Sequence, residues 1–280
     1  MKVLRFGLPG QERPGILDKS GAIRDASSVG GDITPENIED GLFDRLAKVS
    51  LASLPLVPAG VRIGAPIART GNFIGVGLNY ADHAAEIGQA LPKEPILFNK
   101  APNSLSGPND PILVPKDAAK LDWEVELAVV IGKRTSHIAE AQAMSAVAAF
   151  TICNDISERA WQMEGTGQWM KGKSAPTFGP LGPWLVTPDD IADIGNLDMF
   201  LDVDGERMQT GNTRTLVFGV SFLVAYISRF MTLEPGDVIT TGTPPGVGMG
   251  KKPPRFLRPD QHVRAGIAGL GEQSMRTVTA

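Results

Sequence analysis

The chain has 280 residues, 42% of them hydrophobic and 21% charged, and a formal net charge of −4. This balance excludes a mostly disordered chain, and the slight acidic excess gives no basic face for nucleic acid. Its 32 glycines and 22 prolines favour short strands and many turns over a helical bundle. The chain has one cysteine, no apolar signal segment and no apolar run long enough for a bilayer. We therefore expect a cytoplasmic protein with neither nucleic-acid nor membrane partners.

The first 69 residues are predicted to form a small α/β domain. Residues 15–25 have the pattern of two short strands around a turn at Asp18–Gly21, and residues 34–49 have a weak helical pattern. The stretch 55–69, which contains several prolines and glycines, is typical of a linker or of an extended entry to the next domain. We therefore place the boundary with a second domain, residues 70–280, near residue 70.

The second domain is predicted to be a β-rich α+β fold. Its apolar and alternating runs predict strands at 73–78, 121–131, 151–155, 197–204 and 237–241. Its helical spacings predict helices at 79–87, with Asn79 as the N-cap, at 137–150 and at 216–231.

Two glutamates on one predicted strand are the most informative feature of the sequence. Side chains alternate along a strand, so Glu124 and Glu126 face the same way, beside the apolar run 127–131. Two buried carboxylates on one face repel each other, and a divalent cation is the simplest compensation. The alternative is a strand face on which Asp122, Glu124 and Glu126 all lie in solvent.

A third carboxylate, Asp155, follows the apolar segment 146–153. Three carboxylates with no cysteine or histidine partner are hard oxygen ligands, which favour Mg²⁺ or Mn²⁺ over zinc. The alternative is that Asp155 is the N-cap of a helix that begins at residue 156.

His83 and Glu86 are three residues apart and become neighbours if their segment is helical. Glu86 can then orient the imidazole as a general base that activates water. The alternative is an ordinary ion pair on the protein surface.

Two loops contain groups that can hold an anion. Lys171 and Lys173 lie in a loop rich in glycine and proline, where a lysine can neutralise a carboxylate or an enolate, or both can simply be solvated. The loop 241–248 offers hydroxyls and backbone amides after a predicted strand. The sequence lacks both a Walker A loop and a complete dinucleotide fingerprint.

Six segments together resemble the fumarylacetoacetate hydrolase superfamily. They occur in the family's order and span roughly residues 70–270. The segments are GVGLNYADHAAEIG (75–88), EPILFNKAPNSLSGP (94–108), LDWEVELAVVIGK (121–133), FTICNDISERAWQ (150–162), KGKSAPTFGPLGPWLVTPDDI (171–191) and LEPGDVITTGTPPGVG (233–248).

The resemblance implies both a fold and a set of site residues. The fold is a mixed β-roll with a pseudo-barrel core, here with residues 1–69 as an amino-terminal extension and 70–280 as the catalytic domain, assembled as a homodimer. Metal ligands for Mg²⁺ or Mn²⁺ are implied at Glu124, Glu126 and Asp155. Catalytic roles are implied for His83, Glu86 and Lys173. Substrate-binding roles are implied for Tyr80, Arg159, Gln162 and Thr243.

The activity implied is metal-dependent hydrolysis of a carbon–carbon bond in a 2,4-diketo acid (an acylpyruvate), with release of pyruvate. The leading substrate is a 2,4-diketo-3-deoxy sugar acid derived from L-rhamnonate or L-fuconate. The His83–Glu86 pair favours hydrolysis, since family members without it tend to be decarboxylases, hydratases or isomerases. The alternatives are an oxaloacetate-type decarboxylase, a dienoate hydratase or isomerase, a ureidoglycolate lyase, and a metal-stabilised binding protein without turnover.

Overall fold

A computed structural model describes residues 1–86 and 88–280. The strands are β1 (Lys2–Phe6), β2 (Arg13–Leu17), β3 (Ile23–Asp25), β4 (Phe73–Gly77), β5 (Ile96–Lys100), β6 (Leu105–Ser106), β7 (Ile112–Val114), β8 (Leu121–Asp122), β9 (Val125–Ile131), β10 (Val147–Asn154), β11 (Ser157–Glu158), β12 (Gly179–Val186), β13 (Asp198–Val203), β14 (Glu206–Asn212), β15 (Val238–Thr240), β16 (His262–Ile267) and β17 (Gly271–Thr279). The α-helices are α1 (Pro35–Glu39), α2 (Leu42–Lys48), α3 (Ala81–Glu86), α4 (Arg159–Met163), α5 (Trp169–Lys173) and α6 (Val220–Ile227).

A mixed ten-stranded sheet forms the centre of the molecule. Nine of its strands follow the order β3-β2-β1-β12-β10-β9-β15-β4-β5, and β6 pairs with β12. A five-stranded sheet has the order β14-β13-β16-β17-β7, and β8 pairs with β11 in a separate ladder. Most neighbours are antiparallel, but β15 and β4 run parallel.

Strand β9 lies between two hydrophobic clusters, and all seven of its residues are buried. On one face, Leu127 packs in a cluster with Leu201 of β13 and Val263 of β16. On the other face, Ala128 belongs to a cluster that includes Val3 of β1. Burying a Val, Leu or Ile side chain contributes about 1.5–3 kcal/mol, so the ends of β9 are held firmly in place.

The first 69 residues extend the central sheet through β1, which pairs antiparallel with β12. The Arg62 guanidinium bridges this segment to the rest of the chain, because it donates to both carboxylate oxygens of Asp110 and to Glu12 Oε1. The division of the chain into domains 1–69 and 70–280 stays a prediction.

Several predicted elements are confirmed. The turn at Asp18–Gly21 joins β2 and β3, and β4, β13 and β15 lie within the strands predicted at 73–78, 197–204 and 237–241. Helix α6 forms the middle of the helix predicted at 216–231. Within the described residues, no helix is long and apolar enough to cross a membrane.

The helix predicted at 137–150 is wrong. A 3₁₀ segment covers Glu140–Ala146, and the chain then enters β10 at Val147. The alanines produce a helical pattern, but residues 147–153 pair with β9 and β12, so tertiary pairing overrides local preference.

Two other predictions need correction in detail. The strand predicted at 121–131 is interrupted between β8 and β9, at Trp123 and Glu124. Helix α3 begins at Ala81, and Asn79 does not cap it: its amide group bonds the Phe218 backbone and Thr241 O. Ile87, the last residue of that predicted helix, lies outside the described residues.

Candidate active site

Three carboxylates meet where β10 ends and β9 begins. One oxygen from each of Glu124, Glu126 and Asp155 lies within 4.8 Å of the others, and all three side chains are buried. Backbone contacts fix this meeting point: Asp155 N–H donates to Glu124 O at 2.8 Å, and Glu124 N–H donates to Asn154 Oδ1 at 3.0 Å. The two strands therefore position all three carboxylates.

The structure rules out both alternatives for these acids, the solvent-facing strand and the helix N-cap. Asp122, Glu124 and Glu126 do not lie in solvent; Asp122 is fully buried. Asp155 does not cap a helix, since α4 begins four residues later and is capped by the Glu158 side chain.

Arginine and lysine side chains form ion pairs with two of the three carboxylates. Glu124 accepts hydrogen bonds from Arg159 Nη2 at 2.5 Å and Lys173 Nζ at 2.7 Å. Asp155 accepts one from Lys173 Nζ at 2.6 Å. Burial raises the pKa of Glu124, but the charges of Arg159 and Lys173 outweigh it and bring the pKa to about 2. Glu124 is therefore ionised at neutral pH.

Glu126 is the exception, because no lysine or arginine of the described chain forms an ion pair with it. It accepts a hydrogen bond from Gly242 N–H at 2.8 Å. Burial, and then the negative charges of Asp155 and Glu124, raise its pKa well above the ordinary value of 4.5. An all-oxygen donor set with one uncompensated buried carboxylate fits a hard divalent cation.

Sequence reasoning missed Lys100. This fully buried lysine ends β5, and its Nζ donates to Asp155 Oδ1 at 2.5 Å and to Lys173 O at 2.6 Å. It therefore joins a carboxylate of the cluster to the backbone of Lys173. One feature of the sequence could have pointed to Lys100. It follows the short run Ile96–Asn99, just as the ligand candidate Asp155 follows the run that forms β10.

His83 and Glu86 are brought together on α3. His83 Nδ1 is 3.0 Å from Glu86 Oε2, and the imidazole is buried. Both Glu86 oxygens also accept from Gly246 N–H, at 2.9 and 3.1 Å. A carboxylate only accepts, so Nδ1 carries the hydrogen and Nε2 is left to accept a proton. The geometry suits a general base better than a surface ion pair.

A cavity of about 360 Å³ connects these groups. The predicted residues that line it are His83, Glu124, Glu126, Arg159, Gln162, Lys173 and Thr243. Glu86 lies behind His83, and Asp155 behind Lys173. Lys171 is exposed and bonds Thr166, outside the cavity.

Arg159 connects the cavity to Asp122, an acid to which the sequence analysis gave no role in the site. Its Nε donates to Asp122 Oδ2 at 2.8 Å and its Nη1 to Gln162 Oε1 at 3.0 Å, in addition to the contact with Glu124. Asp122 Oδ1 accepts from Gly248 N–H at 2.6 Å. Burial lowers the pKa of Arg159, but the charges of Glu124 and Asp122 outweigh it and raise the pKa above its ordinary value.

The other two predicted substrate-binding residues are placed differently. Thr243 lines the cavity, but its hydroxyl donates to Val125 O and accepts from Gln209 Nε2. Tyr80 is fully buried outside the cavity lining, and its hydroxyl contacts Met199 Sδ at 3.2 Å. Burial, and then the charges of Glu126 and Asp82, raise the pKa of Tyr80 above its ordinary value.

Known proteins are similar to this chain in sequence and in fold. Residues 72–278 match the pattern of the family described as fumarylacetoacetate (FAA) hydrolase C-terminal. A protein of Burkholderia orbicola (strain MC0-3), provisionally named a hydrolase, is 57% identical over 281 residues and covers 100% of both chains. The fumarylacetoacetate hydrolase of the psychrophile Exiguobacterium antarcticum has a TM-score of 0.90, with 36% identity and 100% coverage of both chains.

A third relative carries ligands. The maleylpyruvate hydrolase of Sphingobium sp. SYK-6, solved with manganese(II) and pyruvate, has a TM-score of 0.84, with 29% identity over 100% of both chains. These likenesses confirm the predicted β-rich α+β fold. The chain belongs to the fumarylacetoacetate hydrolase family.

Proposed function

We propose that the protein hydrolyses the C3–C4 bond of a 2,4-diketo acid and releases pyruvate, with Mg²⁺ or Mn²⁺ as cofactor. The observation that carries this proposal is that His83 and two members of the carboxylate cluster, Glu124 and Glu126, line one cavity. A 2-oxo acid presents two oxygens, on C1 and C2, that suit a hard cation, and its C4 carbonyl is the electrophile for water. The manganese and pyruvate of the Sphingobium relative support the same class of ligand.

Glu124, Glu126 and Asp155 would hold the cation, which supplies a Lewis acid for the 2-oxo end of the substrate. Arg159 and Lys173 hold Glu124 in a fixed orientation through its two oxygens. These contacts keep the cluster in one geometry, so the substrate meets a preorganised site.

His83 performs the proton transfer. Its Nε2 takes a proton from water, and Glu86 fixes the tautomer and stabilises the imidazolium that forms. The hydroxide attacks C4, the C3–C4 bond breaks, and the proton on His83 is available for C3 of the departing three-carbon fragment. The Lys173 ammonium offsets the negative charge that develops on the substrate oxygens.

For the acyl group, we propose a 2,4-diketo-3-deoxy sugar acid from L-rhamnonate or L-fuconate as the leading substrate, on the resemblance of the stretch TFGPLGPWLVT (177–187) and of residues 1–69. A decarboxylase, a dienoate hydratase or isomerase, and a ureidoglycolate lyase are the competing reactions. The His83–Glu86 pair, with its buried imidazole, favours hydrolysis because a water base has no function in decarboxylation.

The deciding experiment measures pyruvate release, with Mg²⁺ and with EDTA, from acetylpyruvate, fumarylpyruvate, 2,4-diketo-3-deoxy-L-rhamnonate and oxaloacetate. Metal-dependent pyruvate together with the matching carboxylic acid is the expected result. Turnover of oxaloacetate alone would replace the proposal with a decarboxylase. No pyruvate from any of the four would exclude hydrolysis of this class and leave the lyase and isomerase reactions.

A further inference from the structure

We infer that the substrate carries a single negative charge, so that its acyl group beyond C4 is uncharged and lacks a second carboxylate. This inference rests on the proposed function and names its substrate class. The argument comes from the charges and the walls of the cavity that His83, Glu124 and Glu126 line.

The positive charge of the Arg159 guanidinium is already compensated by two buried carboxylates. Its Nε donates to Asp122, its Nη1 to Gln162 and its Nη2 to Glu124. Moving it towards a substrate would leave Asp122 and Glu124 buried without their partner, which is strongly unfavourable.

Lys173 is likewise held at the carboxylate cluster, where its proposed role is at the 2-oxo end of the substrate and not at the acyl group beyond C4. Its Nζ donates to Glu124 and Asp155, and it lies 4.9 Å from the centre of the Phe98 ring, within cation–π range. His83 is the remaining lining residue that can become cationic, and its Nδ1 faces Glu86. The described lining residues therefore provide no unpaired positive charge.

Most of the remaining wall is apolar. It includes Met163, which ends α4, Trp169, which begins α5, and Phe98 and Met249. Met163 and Met249 are 51% and 37% exposed, which leaves apolar surface for a ligand to cover.

This wall should bind an uncharged acyl group better than a charged one. An alkyl, aryl or hydroxyalkyl group covers the methionines, and Gln89 and Gln162 offer neutral polar contacts for a hydroxyl. A carboxylate in the same place loses water and gains no cation, so binding it costs free energy.

The first test separates charge from turnover by measuring binding. Isothermal titration calorimetry with Mn²⁺ present compares 2-oxopentanoate with 2-oxoglutarate. Both acids have five carbons, but 2-oxoglutarate has a second carboxylate in place of the terminal methyl group. We expect 2-oxopentanoate to bind on the order of tenfold or more tightly. Equal affinity, or tighter binding of 2-oxoglutarate, would overturn the inference whether or not the proposed hydrolysis occurs.

The second test compares kcat/KM for acetylpyruvate and benzoylpyruvate with that for fumarylpyruvate and maleylpyruvate. The uncharged acyl groups should be preferred on the order of tenfold or more. A preference for the dicarboxylates refutes the inference but keeps the hydrolase. Absence of pyruvate from all four refutes the hydrolase, and the binding comparison then decides the inference alone.

Matched variants locate the effect. Met249→Arg and Met163→Lys place a cation on the wall and should raise relative activity on fumarylpyruvate on the order of tenfold. Met170→Lys is the control, because Met170 is 50% exposed on α5 but does not line this cavity. A similar change in Met170→Lys would mean that net charge, and not the wall, sets the preference.

Discussion

The Lys100 ammonium and the Asp155 carboxylate are 2.5 Å apart, and neither side chain is exposed. Breaking such a buried pair by removing one partner costs about 3–5 kcal/mol, because the remaining charge loses compensation, and Asp155 would keep only Lys173 as a cationic partner. We expect Lys100→Met to lose free energy of unfolding in that range, measured by urea denaturation with EDTA present.

A second readout identifies Lys100 as a positioning residue. Because its Nζ also holds Lys173 O, Lys100→Met should weaken Mn²⁺ binding, measured by calorimetry on the folded variant. The control is Lys171→Met, an exposed lysine two residues before Lys173. Unchanged stability and Mn²⁺ affinity in Lys100→Met would show that the contact is incidental.

Replacing His83 should remove catalysis and leave the metal site intact. General-base catalysis contributes about 10²–10⁴-fold, so His83→Ala should lower kcat by that factor in the pyruvate assay, with Mn²⁺ affinity unchanged. His262→Ala is the control, since this exposed histidine pairs with Ser274 on the second sheet. Full activity in His83→Ala would refute the assignment of the base.

Glu126 gives a pH dependence with a definite sign. Its raised pKa means that the folded chain, without a divalent cation, keeps a proton that the unfolded chain loses above pH 4.5. Stability therefore falls as pH rises from 4.5 towards the folded pKa. In EDTA, Glu126→Gln should therefore gain Tm relative to the unaltered protein as pH rises above 4.5 towards the folded pKa.

Glu124→Gln is the matched control for this experiment. The pKa of Glu124 is lowered to about 2, so its charge stabilises the fold above 4.5 and this contribution is lost only as pH falls towards 2. Glu124→Gln should therefore lose Tm across the same pH range. Saturating Mn²⁺ should cancel the advantage of Glu126→Gln, and a pH-independent difference would contradict the prediction.

Gly246 combines a positive φ of +104° with a close approach of the backbone. A Cβ there would lie 2.0 Å from Met208 O, so Gly246→Ala must displace the loop whose amide holds Glu86. Such strain costs about 1–3 kcal/mol, measured by denaturation, and should also lower kcat. Gly219→Ala, with open space around the Cβ and a φ of −72°, should change neither.

Periodicity found the elements whose sequence and surroundings agree. Strand β13 alternates between its faces and β4 is a continuous apolar run, so local pattern and tertiary environment give the same answer. The segment 137–150 shows the opposite case, because its pairing with β9 is decided by residues far away in the sequence. The break at Glu124 was equally invisible, since Gln209 and Asn154 replace the missing ladder contacts.

The acidic cluster was found because three carboxylates beside apolar runs are unusual in any sequence. Lys100 was missed because a lysine in a short strand is normally solvated, and only the fold shows that its amine reaches Asp155. Tyr80 was predicted to touch substrate, yet its ring turns into the core against Met199. Type of residue can be judged from sequence, whereas the direction of a side chain depends on packing.

The pairing of β1 with β12 has a consequence for anyone who shortens the chain. Without the first 69 residues, β12 becomes an open edge with unpaired amides and carbonyls, next to an apolar surface that Val3 and Ile16 normally cover. Such an edge recruits strands from other molecules. A fragment that keeps every proposed active-site residue is therefore expected to self-associate. By covering this edge, the amino-terminal strands protect the protein against aggregation.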